Sequence, residues 1–436
     1  MRKRRAYRAA AVKNVLIERV LESAPDGPVC VGLDVGKKEI FAVVRWADGT
    51  FERPWKAKNP SEIRVTVRLL RELADRGVLT VALESTGTYG DAMRQAMTDA
   101  ELNVHRVSGK AAHDYAEIFD GVPSKHDGKD AAVVAELAAI GKSWPWEFKS
   151  KEDNDAEMAR RVDWLDAQQS IKMLWLGRME ALLARFWPEA TTLLGLTSIT
   201  LLKTLARYGG PKKLSEDPAA AERLAGWGGP MLKPEKIEAL LESARETVGV
   251  RQCDQDIQRT QQYATAALEA QREIQNTTRR LKELAKNNAT IQRQAEVVGT
   301  VTSCVLWVAL GDPHDYHCGE AYRKGMGLNL MERSSGKHKG ELSITKRGPG
   351  IARRWLYFAA MRMAQVPEVR PWYEAKKAKD GDRGKGALIA IMRKLATALY
   401  NVGARDEEFE AWRLFPGRSV ASKNLRAQNE AAACAM

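Results

Sequence analysis

Three rhythms of apolar and polar positions divide this chain. Between Val29 and Val107 the apolar residues fall in short runs of strand length, separated by turn residues and two amphipathic stretches. Val29–Val35 (VCVGLDV) and Glu39–Trp46 (EIFAVVRW) flank the turn Gly36-Lys37-Lys38, and TFERPW follows an Asp48-Gly49 turn, which predicts three strands joined by hairpins. Asn59-Pro60-Ser61-Glu62 opens a helix with a capping pattern, predicted to run to about Arg76, where Gly77 stops it. Leu79–Leu83 is a buried strand ending on Glu84. The loop Ser85–Gly90 leads into a helix over Asp91–Ala100, and Asn103–Val107 is a further strand. Lys125-His126-Asp127-Gly128-Lys129-Asp130 then opens the helical run AAVVAELAAI.

From Glu157 the rhythm becomes helical. A helix over Ala156–Phe186 is predicted to place Trp164, Leu165, Ile171, Leu174, Trp175, Met179, Leu182 and Leu183 on one side, with Pro188 as its stop. A helical hairpin region punctuated by Gly209-Gly210-Pro211 and Gly226–Pro230 follows. A long polar helix then spans about 234–296, with a break near Gly249. Ile274 and Leu281 are seven apart, as are Leu284 and Ile291, so this segment is expected to pair with the first helix as a coiled-coil arm projecting from the body. Past Val297–Thr302 come the apolar SCVLWVALGD, glycine- and base-rich loops, a helix from Ala352 to about Val366, a basic loop Lys376–Lys385 and a closing helix, ALIAIMRKLATALYNV.

The expected fold class is therefore α/β plus α. Three antiparallel strands, a helix, a parallel strand, a helix and a further strand form a layer whose order resembles the ribonuclease-H superfold. The expected divisions are a basic N-terminal arm (1–28), the α/β domain (29–148), a helical coiled-coil region (149–296), a mainly helical C-terminal domain (297–415) and a flexible tail (416–436).

Charge changes this picture. A net +13, with the bases in local clusters, points to a polyanionic partner, most plausibly nucleic acid. The arm bearing Arg2, Lys3, Arg4, Arg5, Arg8 and Lys13 reads equally as a solvated tail or as a phosphate-contacting arm. No run of about 18 apolar residues exists to span a membrane. The basic N-terminus lacks the apolar core of a signal peptide, so the cytoplasm is expected. Five scattered cysteines form no disulfide framework, and His314, His317 and Cys318 lack the second ligand pair of a structural zinc site.

Two candidate chemistries remain. Asp34 is a carboxylate inside an apolar strand, costly unless paired. Glu84 ends another strand, and Asp127 and Asp130 project from one helix start. Side by side, these acids would hold hard cations such as Mg²⁺, and two such ions at a phosphodiester activate a nucleophile and stabilise the leaving oxygen. Singly, each has a plainer explanation, solvent exposure for Glu84 and helix capping for Asp127 and Asp130. The second stretch is Ser334-Ser335-Gly336 followed by Lys337, His338, Lys339, Lys346, Arg347, Arg353 and Arg354. Read alone it is a flexible hydroxyl loop in a cationic setting, better suited to phosphate binding than to nucleophilic catalysis.

A resemblance sharpens both. The pieces VGLDVGKKEI, LESTGTYG, KHDGKDA, LLARFWPE, GLNLMERSSGKHKGELSITKRGPGIARRWLYFAAM and ALIAIMRKLATALY resemble DEDD-type transposases of the insertion-sequence-110 family, relatives of the Piv DNA invertases. They cover most of residues 29–405 in the family's order. The departures are Leu330 in place of a proline, His126 in place of a small hydroxyl residue, and Val298-Gly299-Thr300-Val301 in place of Pro-Gly-Ile-Gly. The resemblance implies a RuvC-like domain with Asp34, Glu84, Asp127 and Asp130 as its Mg²⁺ ligands, and Ser335 as the nucleophile. It also implies target and donor DNA as substrates, a structured bridge RNA as guide, and a homo-oligomer, dimer to tetramer, in which acids of one protomer meet the serine of another. The competing expectations are a metal-only junction-resolving nuclease that does not need Ser335, and a nucleic-acid-binding protein without chemistry.

Overall fold

The computed structural model describes residues 8–22, 24–84, 87–121, 126–148, 153–335 and 338–415. The basic residues Arg2 to Arg5, the loop residues Ser85 and Thr86, Lys125, Lys337 and the expected tail 416–436 lie outside them. The chain divides into two compact units, residues 1–150 and residues 151–436.

Unit 1 is a seven-stranded sheet clad by helices. Its strands are β1 (Ala10–Ala11), β2 (Val29–Val35), β3 (Glu39–Arg45), β4 (Trp55–Lys58), β5 (Leu79–Glu84), β6 (Asn103–Val107) and β7 (Ser143–Pro145), in the spatial order β1-β4-β3-β2-β5-β6-β7. β2 pairs antiparallel with β3 and parallel with β5, which pairs parallel with β6. The three hairpin strands and the crossover to parallel pairing are as expected. The third strand differs in position, starting at Trp55, after Pro54, rather than at Thr50. Proline has no amide to give to a ladder, and Ala57, not Phe51, is the buried residue that pairs with Ile40.

The alternation of strand side chains gives the sheet two faces. Val31, Leu33 and Val35 join Ile40, Val44, Val81 and Leu83 in a core closed by Val67, Leu70 and Leu73 of the helix Ile63–Ala74. Cys30 and Ala82 face the other way and meet Val133, Val134 and Leu137 of the helix Asp127–Ala139. The helix Gly109–Asp120 and the edge strands β1 and β7 went unforeseen. The N-terminal stretch, expected as a basic arm or short helix, forms β1, a short 3-10 turn and the short helix Ile17–Glu22, with Val12 of the turn and Ile17 of the helix buried in the main core.

Among its described residues, unit 2 is helical apart from one hairpin. Helix Asp153–Phe186 and helix Asp254–Ala285 pack antiparallel along their lengths. Arg280 is paired with Glu157 at 2.7 Å, Trp164 donates to Glu273 at 3.2 Å, and Trp175 stacks on Tyr263 with centroids 5.2 Å apart. The side chains between the helices are Met158, Val162, Leu165, Leu176, Met179 and Leu183. Trp164, Ile171 and Leu174, expected on this inner side, are exposed instead, because at about 100° per residue they fall on the other side of the helix from Val162, Leu165, Leu176 and Met179. The polar segment breaks twice, at 246–253 near Gly249 as expected and again at 286–288.

Helix Ala289–Val298 is followed after a single residue, Gly299, by helix Thr300–Leu310; Gly299 has φ +86°, open to glycine and strained for other residues. Helices Gly350–Met363, Arg370–Lys379 and Gly384–Ala404 close a core around Leu356, Ile391, Leu395 and Leu399. The expected basic loop from Lys376 is thus partly helix. The one hairpin joins β8 (Leu330–Ser335) to β9 (His338–Ile344).

Candidate active site

The acid site is built by the close approach of one helix to one strand. Asp34 lies two residues beyond Gly32 on β2, on the face that meets helix Asp127–Ala139. A Cβ at Gly32 would fall on the carbonyl oxygen of Ala131 and the amide of Ala135, so only glycine admits the helix at this distance. The helix answers with small side chains, Ala131, Ala132 and Ala135, all buried. Arg45 of β3 pairs with Glu136 at 2.6 Å and fixes the middle of the helix against the sheet. Near its start, Lys129 is 1% exposed and reaches Asp120, at the end of the preceding helix, at 2.6 Å. The amides of Lys129 and Asp130 donate to the His126 carbonyl at 2.8 and 2.9 Å, which shapes the first turn.

Asp127 and Asp130 therefore meet Asp34. One carboxylate oxygen from each of the three lies within 4.8 Å of the others, with Asp127 exposed and Asp34 and Asp130 half-buried. Three anionic oxygens so close repel one another, and a divalent cation with hard oxygen preference is the partner that converts the repulsion into binding. The donor set fits such an ion.

Glu84 is placed beside this group but not in it. Leu33 pairs with Leu83 in register, so Glu84 follows at the same sheet edge, one strand over from Asp34. Its carboxylate rests against Gly109, the first residue of helix Gly109–Asp120, where a Cβ would collide with Oε1. A helix N-terminus stabilises a carboxylate in that position.

The serine lies on a different kind of scaffold. Ser335 is the last residue of β8, and its backbone pairs with His338 of β9 across the two-residue connection 336–337. The ladder is irregular between Arg333 and Ser335. The expected loop is thus a two-stranded ribbon with the serine at its tip, in one unit, while the acids lie in the other.

Of the basic positions, Lys339 is on β9, and Lys346 and Arg347 follow the ribbon, both exposed. Lys346 has φ +55°, and its amide donates to the Gly327 carbonyl at 2.9 Å. Arg353 differs from the expectation of a free phosphate contact. It donates from Nη1 to the carbonyls of Met326 at 3.0 Å and Gly348 at 2.7 Å, and desolvation lowers its pKa from the ordinary value. Arg354 pairs with Asp166 of the long helix. Arg353 is thus held by internal partners, whereas Arg354, though paired, is exposed like Lys346 and Arg347, and Lys339 is placed by its backbone alone.

Sequence reasoning missed Gly32, Gly109 and Lys129. The available signals were a glycine two residues before a strand carboxylate and a lysine in an otherwise apolar, alanine-rich run.

Two family models match the chain. A DEDD transposase model of the IS110 type covers residues 31–161, which include Asp34, Glu84, Asp127 and Asp130. A second, described as Transposase IS116/IS110/IS902 family, covers residues 290–375, including Ser335 and its basic neighbours. No curated protein matches the chain. Both models are of transposases, which makes this a DNA-processing and DNA-binding protein. The chain belongs to the IS110 family of DEDD transposases.

Proposed function

We propose that this protein is a site-specific recombinase that excises and inserts an insertion sequence, guided by a bridge RNA that pairs with target and donor DNA. The observation that carries the reading is the convergence of Asp34, Asp127 and Asp130 from a strand and a helix start distant in sequence. In this reading the α/β unit is RuvC-like, and the three aspartates, with Glu84 from the neighbouring strand, hold Mg²⁺. The ion, when bound, supplies charge neutralisation at the scissile phosphate and lowers the pKa of a coordinated hydroxyl.

Ser335 is the nucleophile. Its hydroxyl loses a proton, the Oγ–P bond forms, and the bond from phosphorus to one sugar oxygen breaks, releasing that sugar hydroxyl. Attack by a hydroxyl of the partner strand on the phosphoserine completes the exchange: a new O–P bond forms, the Oγ–P bond breaks, a proton returns to Ser335, and the DNA is sealed. Lys339, Lys346 and Arg347 bind backbone phosphates beside the ribbon, and their charge stabilises the pentacoordinate transition state. Arg353 acts indirectly, through the Met326 and Gly348 carbonyls it holds, and Arg354 through its pairing with Asp166 of the long helix. The acids of one copy serve the serine of another in a dimer or tetramer.

The test is a recombination assay with matching RNA, both DNAs and Mg²⁺, comparing Asp34→Ala with Ser335→Ala. Loss of strand exchange in both is expected. Full recombination by Ser335→Ala would instead identify a metal-only nuclease, and activity in both variants would overturn the reading as a whole.

A further inference from the structure

The acid site has a rim whose side chains the proposed chemistry does not use. Asp34 and Val35 pair with Phe41 and Ile40 respectively, so the turn from Gly36 to Lys38 stands immediately beyond Asp34 at that end of the sheet. Lys58, the last residue of β4, pairs with Glu39, which brings Asn59 to the same end, and Glu84 ends β5 there too. Asn59 ties these pieces together. Its Nδ2 donates to the carbonyl of Gly36 at 2.9 Å and to that of Tyr89 at 3.3 Å. Its backbone amide donates to the Lys38 carbonyl at 2.9 Å. A primary amide carries two N–H donors on one nitrogen, so a single side chain holds the turn after Asp34 against the loop after Glu84. The two loops beside the acids are thereby one backbone unit.

Lys37, Lys38 and Tyr89 belong to this unit, and all three are exposed, Tyr89 by 51%. Among the described residues neither ammonium has an ion-pair partner, whereas Lys56 on β4 pairs with Glu39 at 2.7 Å. An uncommitted ring beside uncommitted cations, on backbone fixed from below, suits a single nucleic-acid strand: bases stack on the ring and phosphates meet the cations. We propose that this rim grips the unpaired DNA strand adjoining the scissile phosphate. A base stacks on Tyr89, its phosphates meet Lys37 and Lys38, and Asn59 is the residue that positions all three. The identity of the strand as DNA rests on the function proposed above, since a strand held here runs past the acids. Strand exchange unpairs bases beside the cut, and an unpaired base offers the ring a face that duplex stacking hides.

A single-stranded DNA oligonucleotide carrying 2-aminopurine, added to the full chain without RNA or divalent metal, tests it by fluorescence quenching and anisotropy. The assay needs no strand exchange, so its outcome is separate from whether Asp34 and Ser335 matter in recombination. The unaltered protein is expected to quench the probe. Tyr89→Ala should lose the quenching and weaken binding about tenfold, while Tyr89→Phe, which keeps the ring, should retain both. Lys37→Ala with Lys38→Ala should make the slope of log affinity against log salt shallower by about 1.4, the share of two single-strand phosphate contacts. Asn59→Asp turns both donors into acceptors facing two carbonyls, and should lose the quenching while circular dichroism shows the chain still folded. Unchanged quenching in Tyr89→Ala or Asn59→Asp, loss of it in Tyr89→Phe, or an unaltered salt slope in the lysine variant would overturn the proposal. So would tighter binding of the same sequence as RNA, with the difference removed by Tyr89→Ala, which would assign the rim to the guide.

Discussion

The two candidate centres are held in opposite ways. Asp34, Asp127 and Asp130 stand on a buried strand and a helix packed so closely on it that Gly32 admits no side chain. Ser335 stands at the end of a two-stranded ribbon whose neighbouring positions Leu330 and Leu342 are 40% and 59% exposed. A metal site needs several ligands fixed relative to one another, and packing supplies that rigidity. On the proposed reading Ser335 must meet a duplex, and a two-stranded ribbon presents it on a less packed scaffold than the acids have. On this account, the acid centre fails when packing fails, and the serine centre fails when its own hydroxyl or its anchors fail.

The largest expected effect separates the two centres directly. Asp34→Asn should abolish strand exchange and also the rise in thermal midpoint that Mg²⁺ or Mn²⁺ gives the full-length protein. Ser335→Ala should abolish strand exchange while keeping the metal-induced rise, measured by differential scanning fluorimetry. If Ser335→Ala also removes the rise, the two centres are not separable in this way. Gly32→Ala comes next. The added methyl must push the acid helix from the sheet, at an expected cost of at least about 1–3 kcal/mol in urea unfolding, and metal binding should weaken with it. Unchanged stability would show that the close approach is not what seats the acids.

Arg353→Met should cost about 1–3 kcal/mol, because the carbonyls of Met326 and Gly348 lose their donor. Lys346→Ala with Arg347→Ala should instead leave stability alone and lower DNA affinity, with a shallower salt dependence. The reverse pattern would exchange the roles assigned to these residues.

The smallest expected effect lies in the helix pair. Arg280, bonded to Glu157 at 2.7 and 2.8 Å, holds that carboxyl down to about 2 from an ordinary 4.5. A lowered folded-state pKa stabilises above the unfolded value and loses that contribution as pH falls through the folded one. Glu157→Gln should therefore lower the thermal midpoint slightly near neutral pH, with the gap closing between pH 4.5 and 2. The pair is largely solvated, so the effect is small.

The difference between the centres also explains what could be read from the sequence. The acids are legible because Asp34 interrupts an apolar run, Glu84 ends one and Asp127 and Asp130 open one, and the strand order follows from turns and run lengths. The convergence of Asp34 with Asp127 and Asp130 depends on Gly32 and on the alanines at 131, 132 and 135, whose meaning appears only once strand and helix face each other. Glu84 was legible as a strand end, but its contact with Gly109 was not, because helix Gly109–Asp120 has a weakly apolar sequence. The ribbon around Ser335 was read as a loop because its residues, LMERSS and HKGELSI, lack a consistent apolar face. The inner and outer seams of helix Asp153–Phe186 were merged because both are apolar, and periodicity alone does not say which one a neighbour will cover.

The most direct test of the central claim is to trap the reaction before resealing. A nicked DNA substrate that loses its departing strand, incubated with the protein, its RNA and Mg²⁺, should leave DNA covalently attached to the chain. Peptide mapping is expected to place the phosphodiester on Ser335, with the adduct absent from both Ser335→Ala and Asp34→Asn. An adduct on another residue, or one that persists in Ser335→Ala, would contradict the account.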